Sequence, residues 1–111
     1  MRKARVIFKD SFAGILWEDE DGYHFEYDAT YLRNPEALPV SKTLPLQSTQ
    51  FSSNVLFSFF DGLIPEGWLL DIAEKSWKLN PRDRMGLLLA CCKDCIGAVS
   101  IIPIMEKEVN G

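Results

Sequence analysis

One histidine, His24, is all the imidazole that this 111-residue chain has. A Ser-His-Asp relay would have to use it as its base, and a zinc site would need its other ligands elsewhere. His24 lies in the alternating run Tyr23 to Tyr27, opposite the aromatic positions, which predicts an exposed strand residue. Cysteine is also scarce. Cys91, Cys92 and Cys95 are odd in number and crowded together, so they form no disulfide framework and fit a reducing cytoplasm. Cys92 and Cys95 have CxxC spacing, but they fall at the predicted C-terminal end of a helix, where the dipole opposes a thiolate. They read as small buried hydrophobes, with neither a redox nor a metal role. No apolar run approaches the roughly 18 residues that span a bilayer. The opening MRKARVIFKD has no apolar stretch or cleavage site of a signal peptide. Positive charge is short too. The formal net charge of -4 argues against direct nucleic-acid binding, which depends on Lys and Arg neutralising phosphates. The cluster Arg2, Lys3, Arg5 and Lys9 reads as a solvated strand face. Phosphate-cradling signatures (GxGxxG, GxxxxGK[ST], an HRD-like loop) are missing, and Phe59-Phe60-Asp61-Gly62 holds the letters of DFG in the wrong order. The expectation is a chain that is not an enzyme, with no catalytic, cofactor or metal site.

What is present is an ordinary globular composition, 47% apolar and 25% charged, in a length that makes one domain. We expect a single unit over 1–111, with a core over about 4–103 and a polar tail over 104–111. Residues 4–8, 13–17 and 23–27 have strand character. Lys9-Asp10-Ser11 and Asp21-Gly22 are the turns between them. The first quarter therefore predicts a three-stranded antiparallel meander. Pro35, Pro39 and Pro45 mark an irregular connection over 28–54, with one helical turn near Tyr31 and a short strand around Ser41 to Leu44.

The second half reads as helices. Asn54 is placed as the cap of a short helix carrying Val55, Leu56, Phe59 and Phe60, with Gly62 just past its end. Pro65 opens a second helix, to about Leu79. Asn80-Pro81 opens a third, with Met85, Leu88, Leu89 and Cys92 on one face. Ile96 to Ile102 is a closing strand, ended by Pro103. The predicted class is α+β, an antiparallel N-terminal meander plus a closing strand, packed against about three helices in the C-terminal half.

The acidic stretch Glu18 to Gly22 resembles a calcium loop only superficially. An EF-hand register ending in Asp21-Gly22 would put Trp17 at the first ligand position and Asp28 at the last, so a hairpin turn is the better reading. A surplus of large apolar groups lies between Phe57 and Leu70. Trp68-Leu69-Leu70 would cover about 200° of a helix, wider than a core stripe, which leaves Trp68 as a candidate anchor for a partner.

The stretch Phe59-Phe60-Asp61-Gly62-Leu63-Ile64-Pro65-Glu66-Gly67 resembles the FFDGLLPEG signature of the N-terminal subdomain of HipA-type kinases. Phe25-Glu26-Tyr27-Asp28 with Tyr31-Leu32 is similar to that family's FxYDxxYL region, and Pro39 to Leu46 to its PLSxSLPL run. Leu88-Leu89-Ala90 with Asp94-Cys95-Ile96-Gly97-Ala98-Val99 resembles its LLAxxGxDCxGAV ending, although Cys92 stands where Gly is usual. The resemblance covers roughly 4–103. In the fused toxins this subdomain is followed by the rest of a Ser/Thr kinase, which the present sequence does not include. The family also has split, three-gene systems, in which a HipS-type antitoxin restrains a shortened HipT kinase beside a DNA-binding HipB. The resemblance therefore implies an antitoxin that docks on the N-lobe of a HipT/HipA-like Ser/Thr kinase, in a complex with a HipB-like protein. The alternatives are a non-inhibitory scaffold and a piece of a full toxin. The segment from Phe60 to Trp68, with its apolar surplus, is the expected contact: Phe60, Asp61, Leu63, Ile64, Glu66 and Trp68.

Overall fold

In the computed structural model the described residues are 2–64, 82–91 and 98–104. Within them the strands are β1 (Arg2–Phe8), β2 (Ser11–Asp19), β3 (Gly22–Tyr27), β4 (Phe51–Ser53) and β5 (Val99–Ile104). The helices are α1 (Ala29–Arg33), α2 (Ser58–Asp61) and, as α3, Arg84–Cys91. The strands form one sheet in the order β4-β3-β2-β1-β5, antiparallel throughout. The predicted α+β class, meander and closing strand are thus observed.

Local chemistry sets the register. Lys9 and Asp10 both have positive φ, 50° and 66°, the conformation of a two-residue hairpin turn that matches strand twist. The second turn closes with Asp19 paired to Gly22. Gly22 has φ 125°, and a Cβ there would lie 2.4 Å from the Ser53 carbonyl oxygen. Glycine is required on both counts. Ala13 is the extra residue of a bulge, since Val6 pairs with Gly14 but Ile7 with Phe12. The bulge frees the Ala13 carbonyl to accept from the Asp28 amide at 2.8 Å.

One face of the sheet carries Val6, Leu16, Phe25 and Ile101, all fully buried. Phe60 of α2 and Met85, Leu87 and Leu88 of α3 close over it. Leu87 was not among the predicted core positions of the third helix. That helix starts later than Pro81, at Arg84, because Asp83 is its cap. The Asp83 carboxylate accepts from the Gly86 amide at 3.1 Å, and its carbonyl accepts from Leu87 at 3.0 Å. Pro103 does not end the closing strand, which runs on to Ile104. A proline is tolerated there because β5 is an edge strand.

In the connection, the helical turn at Tyr31 is α1, capped by Asp28. The strand expected at Ser41 to Leu44 is a single bridge, and the added strand is instead Phe51–Ser53. Asn54 caps nothing in α2, whose N-cap is Phe57, with no side-chain hydrogen bond. The expected helix over 65–79 lies outside the described residues, as do Cys92 and Cys95.

Arg2 departs from the solvated face assigned to it. It alternates onto the core side of β1 and clamps the sheet to α3. Its two terminal nitrogens donate to the two Asp83 oxygens, each at 2.8 Å. Nε donates to Glu18 at 2.8 Å, and a terminal nitrogen also reaches Glu18. Gly86 makes room for the clamp, since a Cβ there would sit 2.4 Å from the Asp83 carboxylate. The hydrogen bonds donated by Arg2 hold the Asp83 carboxyl below the ordinary carboxylate range, and acceptance by Asp83 and Glu18 holds the Arg2 proton more tightly.

Asp83→Ala should destabilise the fold by about 2 kcal/mol, a cap plus a partly solvent-screened ion pair, read as a lower urea midpoint. Because the folded Asp83 pKa is depressed, this contribution is present above about pH 4 and fades as pH falls through the lower folded value. Asp83→Asn should flatten that acid limb.

Candidate protein-protein interface

The candidate contact residues sit where α2 turns toward residue 65. Phe60 is 0% exposed and Ile64 8%, so both belong to the core. Phe60 meets Phe25 at 5.5 Å and Phe59 edge-on at 5.1 Å. Leu63 is half-buried and packs on the core from its rim. The turn is held by amide hydrogen bonds from Leu63 to the Phe60 carbonyl, 3.0 Å, and from Ile64 to that of Asp61, 3.2 Å.

Asp61 accepts from Nε of Arg84 at 2.6 Å, joining α2 to α3. This hydrogen bond to Asp61 holds the Arg84 proton more tightly. Both side chains remain about 40% exposed, so the pair contributes at most about 1 kcal/mol to the fold. Arg84 was not recognised from the sequence, because a salt bridge across 23 residues leaves no local pattern. Glu66 and Trp68 lie outside the described residues. The structure therefore brings Phe60, Asp61, Leu63 and Ile64 together as a buried apolar floor under a half-exposed rim. That arrangement can dock a protein surface.

His24 departs from the exposed strand position expected of it. It is 7% exposed, not a solvated strand residue, because Trp17 on the neighbouring strand stacks over it at 5.2 Å. Nε2 is 2.9 Å from Asp19 Oδ1, and Nδ1 is 2.8 Å from Ser52 Oγ. With the proton on Nε2, the ring donates to Asp19 and accepts from Ser52. This hydrogen bond holds the Asp19 carboxyl below its ordinary range, with help from the Asp21 amide. The residue types are those of a nucleophilic relay, yet the ring nitrogens are used in the opposite sense to the familiar Ser-His-Asp arrangement. In the fold this chain of bonds clasps β4 and the β2–β3 turn to β3. Among the described residues no group of three or more His, Cys, Asp or Glu is arranged to hold a metal ion. None of their helices is long and apolar enough to cross a membrane.

Comparison with known proteins decides the family. The model of the HipA N-terminal domain family matches residues 4–102. The chain belongs to the HipA N-terminal domain family. It is similar to an uncharacterized protein of Haemophilus influenzae, 33% identical over 101 residues, which cover 91% of this chain and 92% of that protein. It is also similar to Y4mE of Sinorhizobium fredii, named as a kinase, with 27% identity over 99% of this chain. A solved structure of the N-terminal domain of HipA toxin superposes with a TM-score of 0.73 at 28% identity, covering 96% of this chain and 95% of that one. A HipA chain in the Shewanella oneidensis toxin–antitoxin complex of HipA, HipB and operator DNA superposes with a TM-score of 0.69 at 25% identity, again over 96% of this chain. The chain spans only 26% of Y4mE and 28% of that HipA chain. The motif resemblance in the sequence thus holds at the level of the family and its toxin–antitoxin setting. The HipA N-terminal domain accounts for residues 4–102 of the 111.

Proposed function

We propose that this HipA N-terminal domain is an antitoxin that binds a HipT/HipA-type Ser/Thr kinase on its N-lobe and obstructs the active site. The observation that carries the reading is the pair of lengths among its relatives. The same domain forms nearly all of the Haemophilus protein, and only about a quarter of Y4mE and of the Shewanella HipA chain. Because this domain makes up almost the whole of one relative, a kinase that it contacts can be a separate chain. Leu63 and Asp61, at the rim over Phe60 and Ile64, lead directly into Glu66 and Trp68, and this continuous segment is the proposed contact. Phosphoryl transfer depends chiefly on positioning, so a displacement of about an ångström at the reacting groups is enough to lower the rate by orders of magnitude.

The test is the cognate kinase's phosphorylation rate measured against added chain. Activity should fall to near zero by equimolar protein. Binding with unchanged activity would overturn the inhibitor reading. It would favour a scaffold that joins the kinase to a HipB-like DNA-binding protein, a role suggested by the HipA–HipB–operator assembly. Trp68→Ala should weaken inhibition about thirty-fold, the loss of one hot spot of about 2 kcal/mol, while the thermal melt stays unchanged. A melt that collapses instead would place Trp68 in the core.

A further inference from the structure

The helices α2 and α3 cover one face of the sheet, and the opposite face has a different composition. Strand register places Lys3, Arg5 and Ile7 of β1 on it, with Phe12, Ile15 and Trp17 of β2, His24 and Glu26 of β3 and Ile102 of β5. Phe12 and Ile102 are 38% and 36% exposed, while Ile15 and Trp17 are half-buried. An open groove of about 420 Å³ runs along this face, lined by Lys3, Phe12, Ile15, Trp17 and Glu26 among others.

In one row of this face, opposite charges flank the middle strand. Arg5, Ile15 and Glu26 form one cross-strand row. Arg5 and Glu26 are both exposed, and neither has an ion-pair partner among the described residues. They stand two strand spacings apart, about 10 Å, on either side of β2.

We infer that this face pairs with the same face of a second copy of the chain, about a twofold axis lying along β2. Such an axis exchanges β1 for β3. Each Arg5 then lies over the second copy's Glu26, Ile15 over Ile15, and the Phe12 and Trp17 rings along the seam. An isologous contact requires a self-complementary surface, and a cation and an anion equidistant from an apolar strand make one. Face-to-face sheets pack about 10 Å apart with strands near −30°, so the axis is inclined to β2 by about half that angle, and both ion pairs beside the crossing point still span the gap. Four strands of about seven residues give roughly 450 Å² per copy, so the contact falls at the small, transient end of specific interfaces. The dimer is accordingly weak, and it leaves the α2 rim free on the far side.

Sedimentation equilibrium of the full chain, from about ten micromolar to near-millimolar, reads the prediction. The wild type should pass from monomer to dimer over that range. Arg5→Glu and Glu26→Arg should each remain monomeric with unchanged circular dichroism, since both positions are exposed. An equimolar mixture of the two variants should dimerise again. The first variant is acidic at both ends of the row and the second is basic at both, so a mixed pair sets opposite charges over each other on each side of β2. A monomeric wild type at all concentrations, a dimer indifferent to either charge reversal, or a mixture that stays monomeric would each overturn the inference.

Discussion

Phe60→Ala is expected to destabilise the chain by about 3–5 kcal/mol, the cost of removing a large aromatic side chain from a packed core. A domain of this kind has only about 5–15 kcal/mol in total. Phe60 is fully buried. Its ring joins three neighbours, Phe25 at 5.5 Å, Phe57 at 6.2 Å and Phe59 at 5.1 Å, and such pairs add stabilisation beyond area alone. The backbone around it offers little room to collapse into the void. Gly62 donates to the Ser58 carbonyl, and Leu63 to that of Phe60 itself. Urea denaturation should show a midpoint shifted down by that amount with little change in slope. A loss below about 1 kcal/mol would mean that Phe60 is not core. The result also separates fold from contact. Leu63→Ala, at the half-buried rim, should cost much less stability yet weaken kinase binding. Any binding defect of Phe60→Ala should track its unfolded fraction.

The contrast between these two residues shows what the sequence could convey. The order of bulky and polar residues places Phe60 and Leu63 in one apolar segment, but both look alike there. Their different depths arise from α2 docking across Phe25 of β3, a contact over 35 positions. Strands announced themselves because alternation is a local property: β1, β2 and β3 lie where the pattern put them. β4 did not, since Phe51–Ser53 has three residues and its pairing to β3 is secured by His24 bonding Ser52, not by its own hydrophobic pattern. The same bond explains the misplaced histidine. Alternation correctly set His24 opposite Phe25, but that face is not wholly solvated, because Trp17 lies over the ring. Arg2 shows the converse: it occupies a core-side position at a strand end, where Asp83 and Glu18 supply the partners that let a cation stay there. Family signature motifs conveyed more than composition did. They named the HipA N-terminal domain, while composition alone stopped at an ordinary globular unit.

Tyr27→Phe is expected to cost about 2–4 kcal/mol through one oxygen atom. The Tyr27 hydroxyl is the anchor of the proline-rich connection. It donates to the Leu44 carbonyl and accepts from the Val40 amide at 3.0 Å, in a site where Tyr27 is 3% exposed. Removing it strands a buried amide and a buried carbonyl, each worth about 1–3 kcal/mol when left unpaired. Tyr31 repeats the device one helical turn on. Its ring stacks on Tyr27 within 4° of parallel, and its hydroxyl donates to the Leu38 carbonyl at 2.5 Å and accepts from the Leu38 amide at 3.3 Å. Two phenols thus order a stretch that has little regular structure of its own, which is why the FxYDxxYL spacing of Tyr27 and Tyr31 matters physically. Burial pushes the Tyr27 pKa above its ordinary value, because the charged phenolate is disfavoured there. For a group raised in the folded state, the stabilisation is complete below about pH 10 and is lost as pH climbs through the folded pKa. Urea midpoints followed from pH 8 to about 11 should therefore fall in the wild type, with a shallower decline in Tyr27→Phe. Equal slopes in the two proteins, or a midpoint at about pH 8 unchanged by the substitution, would show that the connection is held by other contacts.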